Sequence, residues 1–435
     1  MVQLVQLVQL VQLVGQAATP LAQSTQSTHT AQDQTGLLDP FDAGFRAAQC
    51  EAVVSEIAAS IPNVHLRLTE HAASKIEAFE RNLGRNGSGP NHTVSALRMA
   101  AGHFFMERRL GTQLFLAVDL QAEEDAPADA STDTRTSQVA IAVETPGSIW
   151  QAYILFRIHT FVAPLGAALE RHFPRLLGAA LYADCSFLVS EYWEQGSLQD
   201  ALRAYQQQHL PIDEVLVLYY AAELLTAVAL LHRAGIIHAG IALDRLLLYT
   251  RPGPGDSAAW APVYRRDGSA GWGARGLVLA GYGRAIDLKL LREEDHSRFA
   301  VAPAHRALTG CPLVHAGQPV AHELDWWAVA ECLHLLLFQE PLVPCRADGL
   351  FVLPAPLRRS WQLHIWQPLF RDLLNAHQLA PDARLPAFRA HLEAIWLCLE
   401  TWRRAPSLKS LLTRQEIMLY ECMSRSASPS PSASK

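Results

Sequence analysis

The stretch LLHRAGIIHAGIALDRLLLYT, from Leu230 to Thr250, decides the fold of this chain. An apolar run reaches a glycine at Gly235, and His238 follows two isoleucines. A short loop comes next, before a second apolar run. A glycine that closes a periodic apolar run indicates the end of a helix, and a short leucine-rich run between turns is typical of a strand. The stretch therefore predicts a buried helix, a loop that contains His238 and a strand.

The composition predicts a large globular body. The chain has 435 residues, 50% of them hydrophobic, and a formal net charge of −6. That length is sufficient for one or two domains, and no basic tract is present that would bind nucleic acid. The 7 cysteines are scattered without a Cys-x-x-Cys pair, so neither a zinc site nor a disulfide framework is predicted. Reduced thiols favour the cytosol or the nucleus.

Both ends of the chain are predicted to be disordered. Residues 1–37 open with MVQLVQLVQLVQLVGQ and are rich in Gln, Ser and Thr, a composition that is typical of disorder. The opening lacks the basic start and the cleavage site of a secretory signal. Its repeated Gln residues argue against a membrane span. Residues 423–435 form a tail rich in Ser and Pro.

Between the tails, strands come first and helices later. Residues 38–95 predict a helical extension, with helical periodicity from Pro40 to Phe79. Residues 96–193 carry the β-rich runs TQLFLAVDL, SQVAIAVE and SFLVSEYW. Residues 194–422 are mainly helical, with predicted helices at Ile212–Ala234, Glu323–Phe338, Trp361–Asn375 and Phe388–Trp402. A small strand-rich lobe followed by a large helical lobe indicates an α+β fold.

Five stretches resemble, in their order and spacing, the kinase domain of the BUB family of spindle-assembly checkpoint proteins. They are LDPFD from Leu38, PGSIWQAYIL from Pro146, GRAIDLKLL from Gly283, LDWWAVAECLHLLLFQEPLV from Leu324 and DGLFVLPAPLRRSWQLHIWQPLFRDLLNA from Asp348. The resemblance is strongest to the BubR-type branch, whose kinase domain is degenerate. It implies a two-lobed protein-kinase-like fold, with a small β-rich N-lobe and a large helical C-lobe, preceded by the helical extension.

The phosphate-holding lysine of a kinase is absent from this chain. In the family pattern a strand Lys holds the α- and β-phosphates and pairs with a Glu of the next helix. The matching positions are Ala142 and Gln151. No lysine occurs from Ile76 to Leu288, so a shifted register cannot supply one. Arg does not replace Lys at a site that needs a compact point charge.

The catalytic and metal-binding positions are also replaced. The matching loop carries Gly240, Ala242 and Arg245 in place of Asp, Lys and Asn, and Gly281 stands where the Mg²⁺-binding Asp is expected. Arg245 brings a positive charge that would repel the cation. Phosphoryl transfer depends on positioning and on charge neutralisation. We therefore expect no bound cofactor or metal and no phosphoryl transfer.

His238 and Asp325 are predicted to keep structural roles. Asp325 stands at the start of a helix, where the kinase fold uses a buried carboxylate to accept N–H bonds from the catalytic loop. An ordinary Asp favoured by the helix dipole is the alternative. His238 has no carboxylate, Cys or second His at catalytic or metal-ligand spacing, which favours packing. We expect Asp325 to be buried and bonded to the backbone N–H of His238 or Ala239.

The resemblance implies a pseudokinase scaffold of the spindle-assembly checkpoint, with checkpoint and kinetochore proteins as partners and no nucleic acid or membrane. It implies the nucleus and kinetochores as location, and the cytoplasm outside mitosis. The tetratricopeptide region and Lys-Glu-Asn motifs of the family are not found, so a split or truncated member is expected. Two alternatives stay open: an atypical active kinase that uses Asp244 and Asp287, or a kinase-fold interaction module without a mitotic role.

Overall fold

The structure, a computed structural model, describes residues 38–61, 63–72, 74, 96–120, 138–250, 260–291 and 298–427. The predicted disordered residues 1–37 lie outside the described residues, as does the tail from residue 428. The chain divides into two compact units. The smaller unit comprises Arg46–Thr160 and Pro174–Glu194, and the larger unit comprises the described residues up to Phe45, Phe161–Phe173 and the residues from Gln195 onward.

A seven-stranded sheet forms the centre of the smaller unit. Its strands are β1 (Val64–Arg67), β2 (Ala96–Met99), β3 (Gly102–Gly111), β4 (Leu114–Asp119), β5 (Gln138–Glu144), β6 (Leu176–Tyr182) and β7 (Ser186–Glu191). They lie in the order β1-β6-β7-β5-β4-β3-β2. Successive strand residues point to opposite faces, and Phe115, Ile141 and Phe187 are buried in one apolar cluster. Helices α1 (Ala43–Ser60) and α2 (Trp150–Val162) lie mostly in the same unit.

The segment before the sheet differs from the helix predicted over Pro40 to Phe79. Helix α1 ends at Ser60, and the next element is strand β1. Strand β1 pairs in parallel with β6, with Val64 opposite Ala179. A partner so distant in sequence leaves no local pattern, so four residues that continue an apolar periodicity were wrongly predicted as helix. Residues 75–95 of the predicted extension lie outside the described residues.

The larger unit is mainly helical. Its helices are α3 (Ala167–Glu170), α4 (Leu198–Gln207), α5 (Glu214–Arg233), α6 (Pro312–His315), α7 (Glu323–Phe338), α8 (Leu363–Leu374), α9 (Pro381–Thr401) and α10 (Leu408–Ala427). Its short strands are β8 (Ile236–Ile237), β9 (Leu246–Thr250), β10 (Arg275–Leu279), β11 (Ile286–Asp287), β12 (Cys345–Ala347) and β13 (Leu350–Val352). These strands form three antiparallel pairs, namely β8 with β11, β9 with β10, and β12 with β13.

Side-chain caps explain where two of these helices begin. Ser197 and Asp200 form a capping box at α4, in which Asp200 accepts the Ser197 N–H at 2.9 Å and Ser197 accepts the Asp200 N–H at 3.3 Å. The carboxylate of Asp213 accepts the N–H of Val215 at 3.0 Å at the start of α5. Each cap satisfies a backbone donor that the first helical turn leaves without a partner.

Helix α5 is the core of the larger unit. Among the described residues it is the one helix long and apolar enough to cross a membrane, by length and composition alone. Within its most apolar window, however, 89% of the residues are buried inside the protein. Its polar Glu223 is paired with Arg171 at 3.1 Å, both inside the same unit. The helix is therefore apolar because protein surrounds it.

The C-terminal helix extends further than the sequence indicates. Helix α10 continues to Ala427, beyond the predicted start of the tail at residue 423. The last turn of this helix reads MSRSA from Met423, and so polar a stretch carries no apolar periodicity that would extend a predicted helix. The remaining boundaries of the predicted lobes and of the extension stay predictions.

Candidate functional site

The loop between β8 and β9 is fixed by the carboxylate of Asp325, in the first turn of α7. Asp325 is 0% exposed. Its two oxygens accept the N–H groups of His238 and Ala239, each at 2.8 Å, and the Nε2–H of His232 at 2.9 Å. The expected burial of Asp325 and its bonds to His238 and Ala239 are therefore confirmed. His232 is a third partner that the sequence did not indicate.

These bonds stabilise a left-handed backbone conformation in the loop and lower the pKa of the Asp325 carboxylate. Ala239 has φ 54°, a left-handed conformation that costs free energy for a residue with a side chain. Burial by itself would raise the pKa of Asp325, but the donors from His232 and His238 outweigh it and hold that pKa below its usual value. The ionised carboxylate is therefore the form that stabilises the loop.

His238 is a packing residue in this structure. Its side chain is fully buried, and its Nε2–H donates to the carbonyl oxygen of Ala280 at 3.0 Å. Its ring lies 5.0 Å from the ring of Tyr282. Burial lowers the pKa of His238 to about 4, so the ring is neutral at pH 7. A neutral imidazole that donates to a backbone oxygen ties the loop to the residues that precede Gly281.

Arg245 brings three of the predicted positions together. Its Nη1–H donates to the carbonyl oxygen of Gly240 at 2.6 Å. A Cβ atom at Gly281 would lie 2.9 Å from Cδ of Arg245, and a Cβ atom at Gly240 would lie 2.1 Å from its Nη1. The arginine side chain therefore occupies the space where side chains at both glycine positions would begin. Ala242 lies in the same loop, on extended backbone.

The surroundings of Arg245 are positive. Burial and then the charge of a second arginine, Arg284, lower the pKa of Arg245, while Asp244 opposes that shift. Arg284 donates to the carbonyl oxygen of Leu308 at 2.9 Å. The described residues contain no group of three or more His, Cys, Asp or Glu side chains that would hold a metal ion. Two guanidinium groups and two glycines do not fit Mg²⁺, which requires carboxylate oxygens.

In the smaller unit, Ala142 and Gln151 lie near an unexpected carboxylate. Ala142 stands in β5 between Leu114 and Leu188 of the neighbouring strands. Gln151, in the first turn of α2, donates from Nε2 to Glu144 at 2.5 Å. Burial raises the pKa of Glu144, and the bond from Gln151 opposes that shift. The carboxylate of this pair therefore belongs to Glu144 on strand β5, two residues after Ala142. Helix α2 contributes the side-chain amide of Gln151.

Three residues of this arrangement were missed by sequence reasoning, namely His232, Arg284 and Glu144. Glu144 left a signal, because residues two apart in a strand share a face and it follows Ala142 at that spacing. His232 and Arg284 left none, because their contacts with Asp325 and Arg245 join segments that are separate in sequence.

Comparison with known proteins identifies relatives of this chain. No family model matches the chain. The spindle assembly checkpoint kinase bub1 of Schizosaccharomyces pombe is 26% identical over 364 residues, which are 77% of this chain and 33% of that protein. The mitotic checkpoint kinase BUB1 of Arabidopsis thaliana is 27% identical over 293 residues, which are 65% of this chain and 52% of that protein. The homologues of this chain are BUB1-type checkpoint kinases.

The fold agrees with that relationship. The BubR1 kinase domain has a TM-score of 0.65 to this chain at 20% identity, over 88% of this chain and 100% of that one. The predicted two-lobed kinase-like α+β fold and the predicted resemblance to the BUB family are therefore confirmed. The matched region covers between 24% and 52% of the length of the BUB1 relatives from the two yeasts and Arabidopsis. That Ala142, Gln151, Gly240, Ala242, Arg245 and Gly281 are degenerate catalytic positions stays a prediction.

Proposed function

We propose that this BUB1-type kinase fold is a pseudokinase scaffold of the spindle-assembly checkpoint, which acts at kinetochores without transferring phosphate. One observation carries the proposed loss of chemistry, namely the side chain of Arg245 lying against Gly240 and Gly281. Phosphoryl transfer needs one carboxylate to orient the attacking hydroxyl and another to hold Mg²⁺. At both matching positions there is no side chain, and the side chain of Arg245 takes up the space.

The two acidic residues that an active kinase would use do not compensate. Asp287 is fully buried and accepts the N–H of Lys289 at 2.9 Å, as the cap of a short helical turn. Asp244 is exposed and lies beside Arg245 in the loop. A general base contributes about 10²–10⁴ in rate, so a single exposed carboxylate cannot replace the base, both metal ligands and the phosphate anchor. The active-kinase alternative is therefore disfavoured.

The loss of nucleotide binding is tested by a thermal-shift titration with ATP, with and without Mg²⁺. We expect no Mg²⁺-dependent rise in melting temperature. A ligand at a hundredfold excess over its Kd stabilises a protein by about 2.7 kcal/mol, which such a titration detects. The kinase region of the Schizosaccharomyces pombe relative serves as the comparison in the same buffer. A clear Mg²⁺-dependent rise for this chain would show that it still binds nucleotide.

The proposed partners are checkpoint and kinetochore proteins, and the proposed location is the nucleus and kinetochores, with the cytoplasm outside mitosis. This part is supported by the names of the relatives, which are spindle or mitotic checkpoint kinases. Imaging of a tagged copy through mitosis separates it from the interaction-module alternative. Signal that concentrates at kinetochores supports the scaffold, and signal that stays diffuse throughout mitosis favours a module without a mitotic role.

A further inference from the structure

Helix α10 has one exposed face. The exposed residues between Leu408 and Ser424 recur in every turn and therefore lie on one side of the helix. They are Ser410, Thr413, Arg414, Ile417, Tyr420, Glu421 and Ser424. A groove of about 630 Å³ follows this face, and Gln208, just after the end of α4, also lines it. The opposite side of α10 is packed, since Gln415 is buried and donates to the hydroxyl oxygen of Tyr220 at 2.6 Å.

The centre of the exposed face is apolar. Ile417 is 55% exposed and Tyr420 is 68% exposed, although both are large apolar residues. They stand one helical turn apart, and the buried Met418 lines the groove beside Ile417. Apolar surface that is removed from water contributes about 25 cal/mol per Å². A protein surface that covers Ile417 and Tyr420 would therefore be stabilised by their burial.

Two opposite charges flank this centre symmetrically. Arg414 precedes Ile417 by three residues, and Glu421 follows Met418 by three. Seven residues make almost two turns, so both charges lie along the same edge of the face, about 10 Å apart. Arg414 forms no ion pair with any residue that the structure describes. Glu421 can accept a further donor, because a carboxylate has two oxygens that each accept more than one hydrogen bond.

We propose that a second copy of this chain docks on this face, with the two α10 helices antiparallel about a twofold axis near Ile417. The antiparallel direction reverses the order of the charges, so Arg414 of each copy meets Glu421 of the other. Ile417 of one copy then lies beside Ile417 of the other, and both become buried. A symmetric dimer uses the same patch on both subunits, and a patch with this charge order is complementary to itself.

The charges select the antiparallel arrangement. Two parallel helices in register would place Arg414 against Arg414 and Glu421 against Glu421, and like charges opposed in an interface disfavour association. The exposed face from Ser410 to Ser424 is about 21 Å long, which makes the interface small, so we expect a dissociation constant on the order of 10 µM. The dimer goes beyond the scaffold function and does not depend on whether the domain transfers phosphate.

The test is sedimentation velocity of the full chain at concentrations up to about 300 µM. Arg414→Glu and Glu421→Arg should each weaken self-association by at least about tenfold, because each substitution creates two pairs of like charges in the symmetric interface. An equimolar mixture of the two variants should regain the dimer. In that mixture each contact again joins a glutamate of one copy to an arginine of the other.

Arg359→Glu is the matched control. Arg359 is exposed in the segment before α8, outside the groove. Its replacement changes the charge of the same unit by the same amount, so the variant should dimerise like the unchanged chain. A chain that stays monomeric, single variants that dimerise as well as the unchanged chain, a mixture that does not regain the dimer, or an equal loss in Arg359→Glu would each overturn the proposal. Thermal melting of the three variants confirms that each is folded.

Discussion

At the scale of single residues, the contacts of Arg245 with Gly240 and Gly281 explain how the loop between β8 and β9 packs. Arg245 fills the space above Gly240 and Gly281, and its guanidinium donates to the backbone instead of to a ligand. Gly281 has φ +84°, where any side chain is strained, and its missing Cβ also leaves room for Arg245. Two separate costs are therefore expected when a side chain is introduced there.

Gly281→Ala should destabilise the fold by both costs. Gly349 has φ +80°, and a Cβ atom there would meet nothing within 4 Å, so Gly349→Ala carries the backbone cost alone, about 1 kcal/mol. Gly281→Ala should cost about 1–3 kcal/mol more, because the new methyl group overlaps Arg245. In an Arg245→Ala background the two alanine substitutions should cost the same. Urea unfolding measures all four differences, and an unchanged excess in that background would contradict the packing described for Arg245.

Sequence reasoning at this scale succeeded where a residue has a fixed place in a pattern. Two partners of Asp325, the N–H groups of His238 and Ala239, could be predicted from the sequence, because helix starts and loops occur at set intervals in the kinase pattern. The close contact of Arg245 with Gly281 was not foreseen. The sequence predicted only that Arg245 would repel a cation, because charge can be read from a sequence. The conformation of a long side chain, in contrast, depends on what surrounds it.

At the scale of elements, the segment that precedes α1 is bound to residues far along the chain within the larger unit. The carboxylate of Asp39 accepts the N–H of Ala302 at 3.1 Å and the Nδ1–H of His305 at 2.7 Å. The carbonyl oxygen of Leu38 accepts the N–H of Ala300 at 3.1 Å. Asp39 is 4% exposed, so these bonds are shielded from water. The LDPFD stretch therefore orders residues 298–308.

Asp39→Ala should loosen that segment without unfolding the chain. Loss of a buried hydrogen-bond acceptor costs about 1–3 kcal/mol, which corresponds to amide exchange at Ala300 and Ala302 that is faster by about fivefold to about 160-fold. Asp42→Ala is the control, since Asp42 accepts the N–H of Phe45 at the start of α1 and has no such bond to residues 298–308. Hydrogen exchange followed by mass spectrometry measures both. Equal protection of residues 298–308 in the two variants would contradict the proposed ordering.

Helices were easier to predict than strands. The bounds of α7 agree with the prediction, because thirteen of its residues are buried and the apolar pattern runs its full length. Strand β1 was missed because its place is set by β6, and strand β3 was missed although ten residues long. In β3, the side chains from Glu107 to Arg109 are exposed, so the alternation that indicates a strand is interrupted.

At the scale of the whole molecule, buried neutral histidines make stability depend on pH. Burial lowers the pKa of His238 to about 4, and burial with nearby positive charge lowers those of His172 and His322 to about 3. The unfolded chain binds protons at these positions below about pH 6.5, whereas the folded chain does not. The stability that these three neutral histidines contribute is therefore fully present above about pH 6.5 and is lost as the pH decreases toward 4. Asp325, with its lowered pKa, adds a further loss below its usual value near 3.8.

The free energy of unfolding should decrease from pH 7 to pH 4.5, by up to about 1.4 kcal/mol per pH unit for each histidine. Urea midpoints at a series of pH values measure this slope. His322→Gln removes one of the three groups. The free energy of unfolding of this variant should therefore change with pH by up to about 1.4 kcal/mol per pH unit less than that of the unchanged chain. A flat profile would contradict the lowered pKa values of the three histidines, and a slope that His322→Gln leaves unchanged would contradict that of His322.

For the proposed pseudokinase, the packing of Arg245 also bears on whether phosphoryl transfer can be regained in evolution. An aspartate introduced alone at Gly240 or Gly281 meets the arginine, and the smaller residue needed at 245, introduced alone, removes the bond to the Gly240 carbonyl. Each single step therefore carries a cost in stability before any gain in activity. In the proposed pseudokinase, a gain of phosphoryl transfer would require the three changes together, in addition to those at Ala142, Gln151 and Ala242, so single substitutions would not provide it.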